Sequence, residues 1–187
     1  MHQSSYRLRG MWHCCAGVFA LAVGLASVGA QAAQNFPDTP LALPNTVLVD
    51  GRTLSAAELK GKVVLVNFWA TWCGYCRQEM PDLADFYRLY RERGFEIVAL
   101  SIEQDAEKVA NYAHNRKLPF PVALRTPAWE VLLGRVRATP TAVVIDRSGR
   151  VHNVMVGGKT RVDLDKILQL IERGRPAADP LAAAAPR

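Results

Sequence analysis

Between residues 45 and 173 the chain alternates short apolar runs with stretches in which apolar side chains recur at every third or fourth position. The run Val63-Val64-Leu65-Val66-Asn67-Phe68-Trp69 is broken only by Asn67, the pattern of a strand buried on both faces of a parallel sheet. From about Gly74 to Arg93, Met80, Leu83, Phe86, Tyr87 and Tyr90 fall at helical spacing, and Gly94 stops the pattern. Pro81 lies inside this helix, where its missing N–H predicts a kink. Phe95 to Ile102 reads as a second buried strand. Asp105 can then cap a helix through Lys117 whose apolar face carries Val109, Tyr112 and Ala113.

Shorter elements flank this strand–helix–strand–helix centre. Before it, Thr46 to Val49 predicts a strand closed by Asp50-Gly51, and Ser55-Ala56-Ala57-Glu58 forms a capping box that opens a brief helical turn ending at Lys60-Gly61-Lys62. After it come a short strand, Val122 to Leu124, and a short helix, Trp129 to Leu133. Ala142 to Asp146 and Val151 to Val156 are strands joined by the turn Arg147-Ser148-Gly149-Arg150. Val162 to Arg173 is an amphipathic helix that buries Leu164, Ile167, Leu168 and Ile171. The sum is an α/β domain over residues 45–173, a central mixed β-sheet flanked by helices with a short N-terminal β extension.

The two ends lack such patterning. Arg7 and Arg9 precede the uncharged stretch Met11 to Ala33, and Ala30-Gln31-Ala32 offers small residues at a cleavage site, so residues 1–32 read as a secretory signal peptide. The uncharged run is also long enough for an uncleaved membrane anchor, although Gly17, Gly24, Ser27 and Gly29 weaken a span. A lipid anchor at Cys14 or Cys15 lacks the expected preceding residues. Residues 33–44 hold three prolines and read as an extended linker; residues 174–187, rich in Ala and Pro, read as a disordered tail.

Export changes the meaning of the cysteines. Of four in the chain, Cys14 and Cys15 lie in the export segment, which leaves Cys73 and Cys76 as the only thiols of the mature domain and excludes a structural disulfide framework. Removing Arg7 and Arg9, with no acid in that stretch, lowers the net charge from +6 to +4. Both signs are scattered along the chain, so no nucleic-acid module is expected.

Two cysteines at i and i+3 on the first turn of a helix suit thiol–disulfide exchange. One thiolate attacks a substrate sulfur, the second thiol breaks the mixed disulfide, and the helix N-terminus stabilises the first thiolate. Here a buried strand delivers Cys73 to such a terminus, so Cys73 is expected as nucleophile and Cys76 as resolving thiol. A Cys-x-x-Cys pair also occurs as half of a zinc site, but the other ligand candidates, His114 and His152, fall in different elements. Haem attachment would need His after Cys76, where Arg77 stands. No metal or cofactor is expected beyond the redox-active pair itself.

The segment Val66-Asn67-Phe68-Trp69-Ala70-Thr71-Trp72-Cys73-Gly74-Tyr75-Cys76-Arg77-Gln78-Glu79-Met80-Pro81 resembles the active-site segment of the TlpA/ResA/DsbE group of thioredoxin-like proteins. The likeness extends over roughly residues 45–173 and includes Leu59-Lys60-Gly61-Lys62, Ala138-Thr139-Pro140-Thr141 and Ile145-Asp146-Arg147-Ser148-Gly149. It implies a thioredoxin-like fold and a periplasmic monomer that reduces disulfides in exported proteins, is supplied with electrons by a membrane thiol–disulfide donor, and often serves cytochrome c or copper-centre assembly. It also implies a cis bond between Thr139 and Pro140, opposite the cysteines, which leaves the preceding backbone free for a substrate strand. Glu79 matches a glutamate placed near the thiols, where it could relay a proton to Cys76, or it could be a solvated helix carboxylate. Asn67 stands where general thioredoxins carry a buried Asp. Trp72 could contact substrate or pack in the core, and Trp69 is expected in the core.

Gly74 and Tyr75, between the cysteines, tune thiol acidity and potential, and they differ from the Pro-containing pairs usual in the group. The same pair occurs in exported disulfide isomerases that resemble this motif but add a dimerisation domain. Thr141 replaces the Glu that cytochrome c maturation members tend to carry. A disulfide oxidant or isomerase therefore stays open beside the reductase, as does a non-catalytic thioredoxin-like factor that binds apo-metalloproteins. A thiol peroxidase is disfavoured by the spacing of Thr71 and Arg77 around the cysteines.

Overall fold

The computed structural model of the protein describes residues 36, 38–158 and 161–173. The expected signal peptide and C-terminal tail lie outside the described residues. Strand β1 (Thr46–Val47) pairs antiparallel with β2 (Thr53–Leu54) across the Asp50-Gly51 turn, where Gly51 adopts φ +85°. Helix α1 (Ala56–Leu59) follows, and its capping box is complete: Ser55 Oγ accepts the Glu58 N–H and the Glu58 carboxylate accepts the Ser55 N–H.

The remaining elements are β3 (Val63–Trp69), α2 (Gly74–Tyr90), β4 (Phe95–Ser101), α3 (Ala106–Asn115), β5 (Val122–Leu124), α4 (Pro127–Leu133), β6 (Thr141–Ile145), β7 (Val151–Val156) and α5 (Arg161–Arg173). The main sheet has the order β5-β4-β3-β6-β7, with β4 parallel to β3 and β5, and β6 antiparallel to β3 and β7. Strand β3 is therefore central, and all seven of its residues are buried. Successive side chains point to opposite faces. Val63, Leu65 and Trp69 join the core beneath α2, α3 and α5, whereas Val64, Val66 and Phe68 join the core beneath α1 and α4. Each large apolar side chain so enclosed contributes about 1.5–3 kcal/mol.

Several boundaries differ from the sequence reading for local reasons. Helix α2 runs continuously through Pro81 to Tyr90, and its last expected turn, Arg91–Arg93, tightens to a 3₁₀ turn before Gly94 at φ +76°. Helix α3 ends two residues early because Lys117 takes φ 50°. Helix α4 starts two residues early because Pro127, whose ring presets the helical φ, occupies its first turn. Part of the expected linker is docked on the domain: the Leu41 N–H donates to the Gly149 carbonyl at 2.8 Å, and Leu41 and Leu43 pack against the core beneath α1 and α4. Among the described residues no helix is long and apolar enough to cross a membrane.

Candidate active site

Strand β3 carries the chain to the edge where the parallel strands β3, β4 and β5 end, the usual place for chemistry in sheets of this kind. There Ala70-Thr71-Trp72 turns the backbone into α2, and the Cys73 N–H closes the turn on the Ala70 carbonyl at 3.2 Å. Cys73 is the N-cap of α2, and its Sγ accepts the Cys76 N–H at 3.2 Å. The two cysteines are joined as a disulfide with Cα atoms 5.3 Å apart. Cys76 is completely buried, whereas Cys73 keeps 6% of its surface exposed, so of the two cysteines only Cys73 is open to an incoming group. A thiolate released at that cap would lie against the N–H groups and positive end of a 17-residue helix, which favours the charged form.

The residues singled out in the sequence gather at this edge. Trp72 and Tyr75 are 61% and 71% exposed and flank Cys73, so Trp72 belongs to the surface rather than the core; Trp69 is fully buried. Gly74 begins α2. The Thr139–Pro140 peptide is cis, and the pairing of Phe68 with Thr141 brings this segment beside the turn that leaves β3. The Pro140 carbonyl accepts the Gly157 N–H at 2.8 Å, and Thr141 Oγ1 donates to the Ala138 carbonyl at 2.8 Å.

Glu79 is one helical turn beyond Cys76 and is buried rather than solvated. Asn67 lies on the same strand face as Leu65 and Trp69, towards α2, and its Nδ2 donates to Glu79 Oε1 at 3.3 Å. Asn67 Oδ1 is buried without a hydrogen-bond partner among the described residues. A buried carboxylate and an amide with spare acceptor capacity thus lie one helical turn beyond Cys76.

One further residue, Glu103 in the β4–α3 loop, supports the turn before Cys73 and carries no local sequence signal. Its carboxylate accepts the Thr71 N–H at 2.6 Å and the Thr71 hydroxyl at 2.9 Å, and it pairs with Lys108 Nζ at 2.6 Å. Burial alone would raise its pKa, but the bonds from Lys108 and Thr71 outweigh it and hold the carboxyl below the usual glutamate range. The signal that could have found it is positional: an acidic residue just past a buried parallel strand, facing the loop of the neighbouring strand.

The family model described as Redoxin matches residues 31–171. The chain is 37% identical over 130 residues to a protein of Bacillus cereus named thiol-disulfide oxidoreductase ResA, a match covering 68% of this chain and 75% of that protein. It is 35% identical to the ResA protein of Bacillus subtilis, covering 70% and 74%. Among solved structures, a thiol:disulfide interchange protein of the thioredoxin family from Chlorobium tepidum matches with a TM-score of 0.66 and 35% identity, over 73% of this chain and 99% of the other. The fold is thioredoxin-like, as the mixed sheet and its helices indicate.

Proposed function

Since this chain belongs to the Redoxin family and is a thiol–disulfide oxidoreductase of the ResA/DsbE type, we propose that it works as an exported, periplasmic reductase of disulfides in other proteins. The observation that carries the reading is the asymmetry of the pair: Cys73 sits at the helix cap within reach, and Cys76 lies fully buried behind it. In the reduced protein the Cys73 thiolate attacks one sulfur of a substrate disulfide. A Cys73–substrate disulfide forms and the other substrate sulfur leaves as thiolate. Cys76 then loses its proton, attacks the Cys73 sulfur and regenerates the Cys73–Cys76 disulfide, releasing the second substrate thiolate. The substrate gains two electrons, and the protein dithiol loses them. Glu79, buried one helical turn beyond Cys76, takes the Cys76 proton in this direction and returns it in the reverse one. Trp72 and Tyr75 offer apolar contact to the substrate, with Thr139 and Pro140 on the opposite side of the thiols.

A thiol–disulfide donor in the membrane re-reduces the pair, so the reaction uses no cofactor beyond the two cysteines, and the resemblance to the TlpA/ResA/DsbE group points to proteins of cytochrome c or copper-centre assembly as substrates. Equilibration of the pair with glutathione tests the direction. A reductase should give a potential below about −220 mV, whereas a value well above about −200 mV overturns reduction in favour of an oxidant or isomerase. In parallel, Cys76→Ser should trap partners from the periplasm as mixed disulfides at Cys73. If it traps none, the chain is a binding module.

A further inference from the structure

The loops that surround the thiol edge differ in how far their charges are paired. Towards β4 and β5, Lys108 is held by Glu103 at 2.6 Å and Arg125 by Glu130 at 3.0 Å. Asp105 and Glu107 lie on that side as well, at the start of α3. Towards β6 the balance differs. The segment from Gly134 to Ala142 contains Arg135 and Arg137 and no carboxylate, and among the described residues neither arginine makes an ion pair. Arg77, the residue after Cys76, is also exposed and unpaired among them, but it lines the groove between α2 and α3 with Tyr112 and Arg116 rather than the β6 side.

The fold explains why these side chains face outward. Gly134 ends α4 at φ 77°, and Val136 turns inward to pack on the core beneath α1 and α4. Its neighbours Arg135 and Arg137 are therefore directed to solvent, and both are exposed. The loop continues through Thr139 and Pro140 into Thr141, which pairs with Phe68 on the strand that leads to Cys73. A chain approaching the Cys73 sulfur between Trp72 and the Pro140 segment consequently runs beside this loop.

We infer that the Gly134–Ala138 loop is a specificity element that selects disulfides flanked by Asp or Glu, with Arg135 and Arg137 engaging those carboxylates while Trp72 and Tyr75 cover the apolar surface beside the disulfide. Guanidinium groups suit this task because their fixed fork donates two parallel hydrogen bonds to a carboxylate and keeps its charge at any physiological pH. Unpaired cations beside the thiols also raise the rate at which an acidic partner arrives, and salt screens that effect. This inference rests on disulfide exchange at Cys73 and adds the chemistry of the substrate.

Two synthetic peptides closed by the same internal disulfide, one flanked by Asp and Glu and one by Lys and Arg, test it on the reduced full chain. Each rate is divided by that for the uncharged bis(2-hydroxyethyl) disulfide. At low ionic strength the acidic peptide should react about tenfold faster than the basic one, and the ratio should approach one in about 0.5 M salt, where the Debye length falls to about 4 Å. The variant R135E/R137E should invert the preference. The variant R52E/R91E, which changes the net charge equally but lies away from the thiol edge, should keep it. Equal rates for the two peptides, a basic preference, or an unaltered ratio in R135E/R137E overturns the inference while leaving exchange intact. Failure of all three disulfides to react overturns the proposed function and this inference with it.

Discussion

Glu103 shows how one side chain can govern a site without touching its reacting atoms. It closes the Thr71 backbone N–H and hydroxyl onto the β4–α3 loop, and the turn so fixed sets the start of α2 at Cys73. Replacing it by Ala leaves the Thr71 N–H without its acceptor, which should cost about 2–3 kcal/mol in urea unfolding; Glu103→Gln, which retains an acceptor oxygen, should cost less. The pH dependence has a definite sign. A carboxyl held low in the folded state contributes stability that is fully present above the ordinary glutamate range and is lost as pH falls through its folded value. The acid limb of the stability curve should therefore be shallower in Glu103→Ala than in the parent protein; identical limbs would refute this linkage. None of it was legible locally, since Thr71 and Glu103 are 32 residues apart. Cys73 and Cys76, by contrast, were legible as a pair from their spacing on one segment, and Glu79 stood out there only through the resemblance.

At the scale of elements, the periodicity located the helices and longer strands of the central domain to within a few residues. Misplaced ends arose where a backbone conformation, rather than a hydrophobic pattern, made the decision. Gly94 is the clearest instance: it takes φ +76° between the 3₁₀ turn and β4, and a Cβ there would lie 2.6 Å from Arg147 Nη1. Gly94→Ala should lower stability by about 2–3 kcal/mol, from the left-handed backbone and the displaced guanidinium together. The midpoint of urea unfolding should move with little change in slope. A loss below about 0.5 kcal/mol, on the order of an ordinary surface substitution, would show that the turn relaxes freely. The short strand β2 escaped notice because two residues give no alternation to read.

Across the whole molecule, the edge opposite the thiols is held by Arg147. Its guanidinium donates to the Gly61 carbonyl at 2.9 Å, the Arg93 carbonyl at 2.9 Å and the Ile171 carbonyl at 2.8 Å, tying the approach to β3, the turn before β4 and the end of α5 to the β6–β7 turn. Arg147→Ala should destabilise the domain by about 2–4 kcal/mol, because three carbonyls lose a charged donor. Amide exchange should accelerate first in α5. Uniform acceleration over all elements would instead mean that the clamp serves the domain as one unit.

What the sequence by itself determined was the alternation of elements, the strand-to-helix junction at Cys73 and the spacing of the two thiols, because these depend on a single segment. Tertiary structure alone decided which cysteine is reachable, that Trp72 and Tyr75 stand exposed beside it, that Asn67 meets Glu79, and that Glu103 braces Thr71. It also decided that the loop carrying Arg135 and Arg137 enters β6 at Thr141, beside Phe68 on the strand that leads to Cys73. Each of these depends on strand register and on which face a side chain takes, and a one-dimensional pattern carries neither for residues that are distant in the chain.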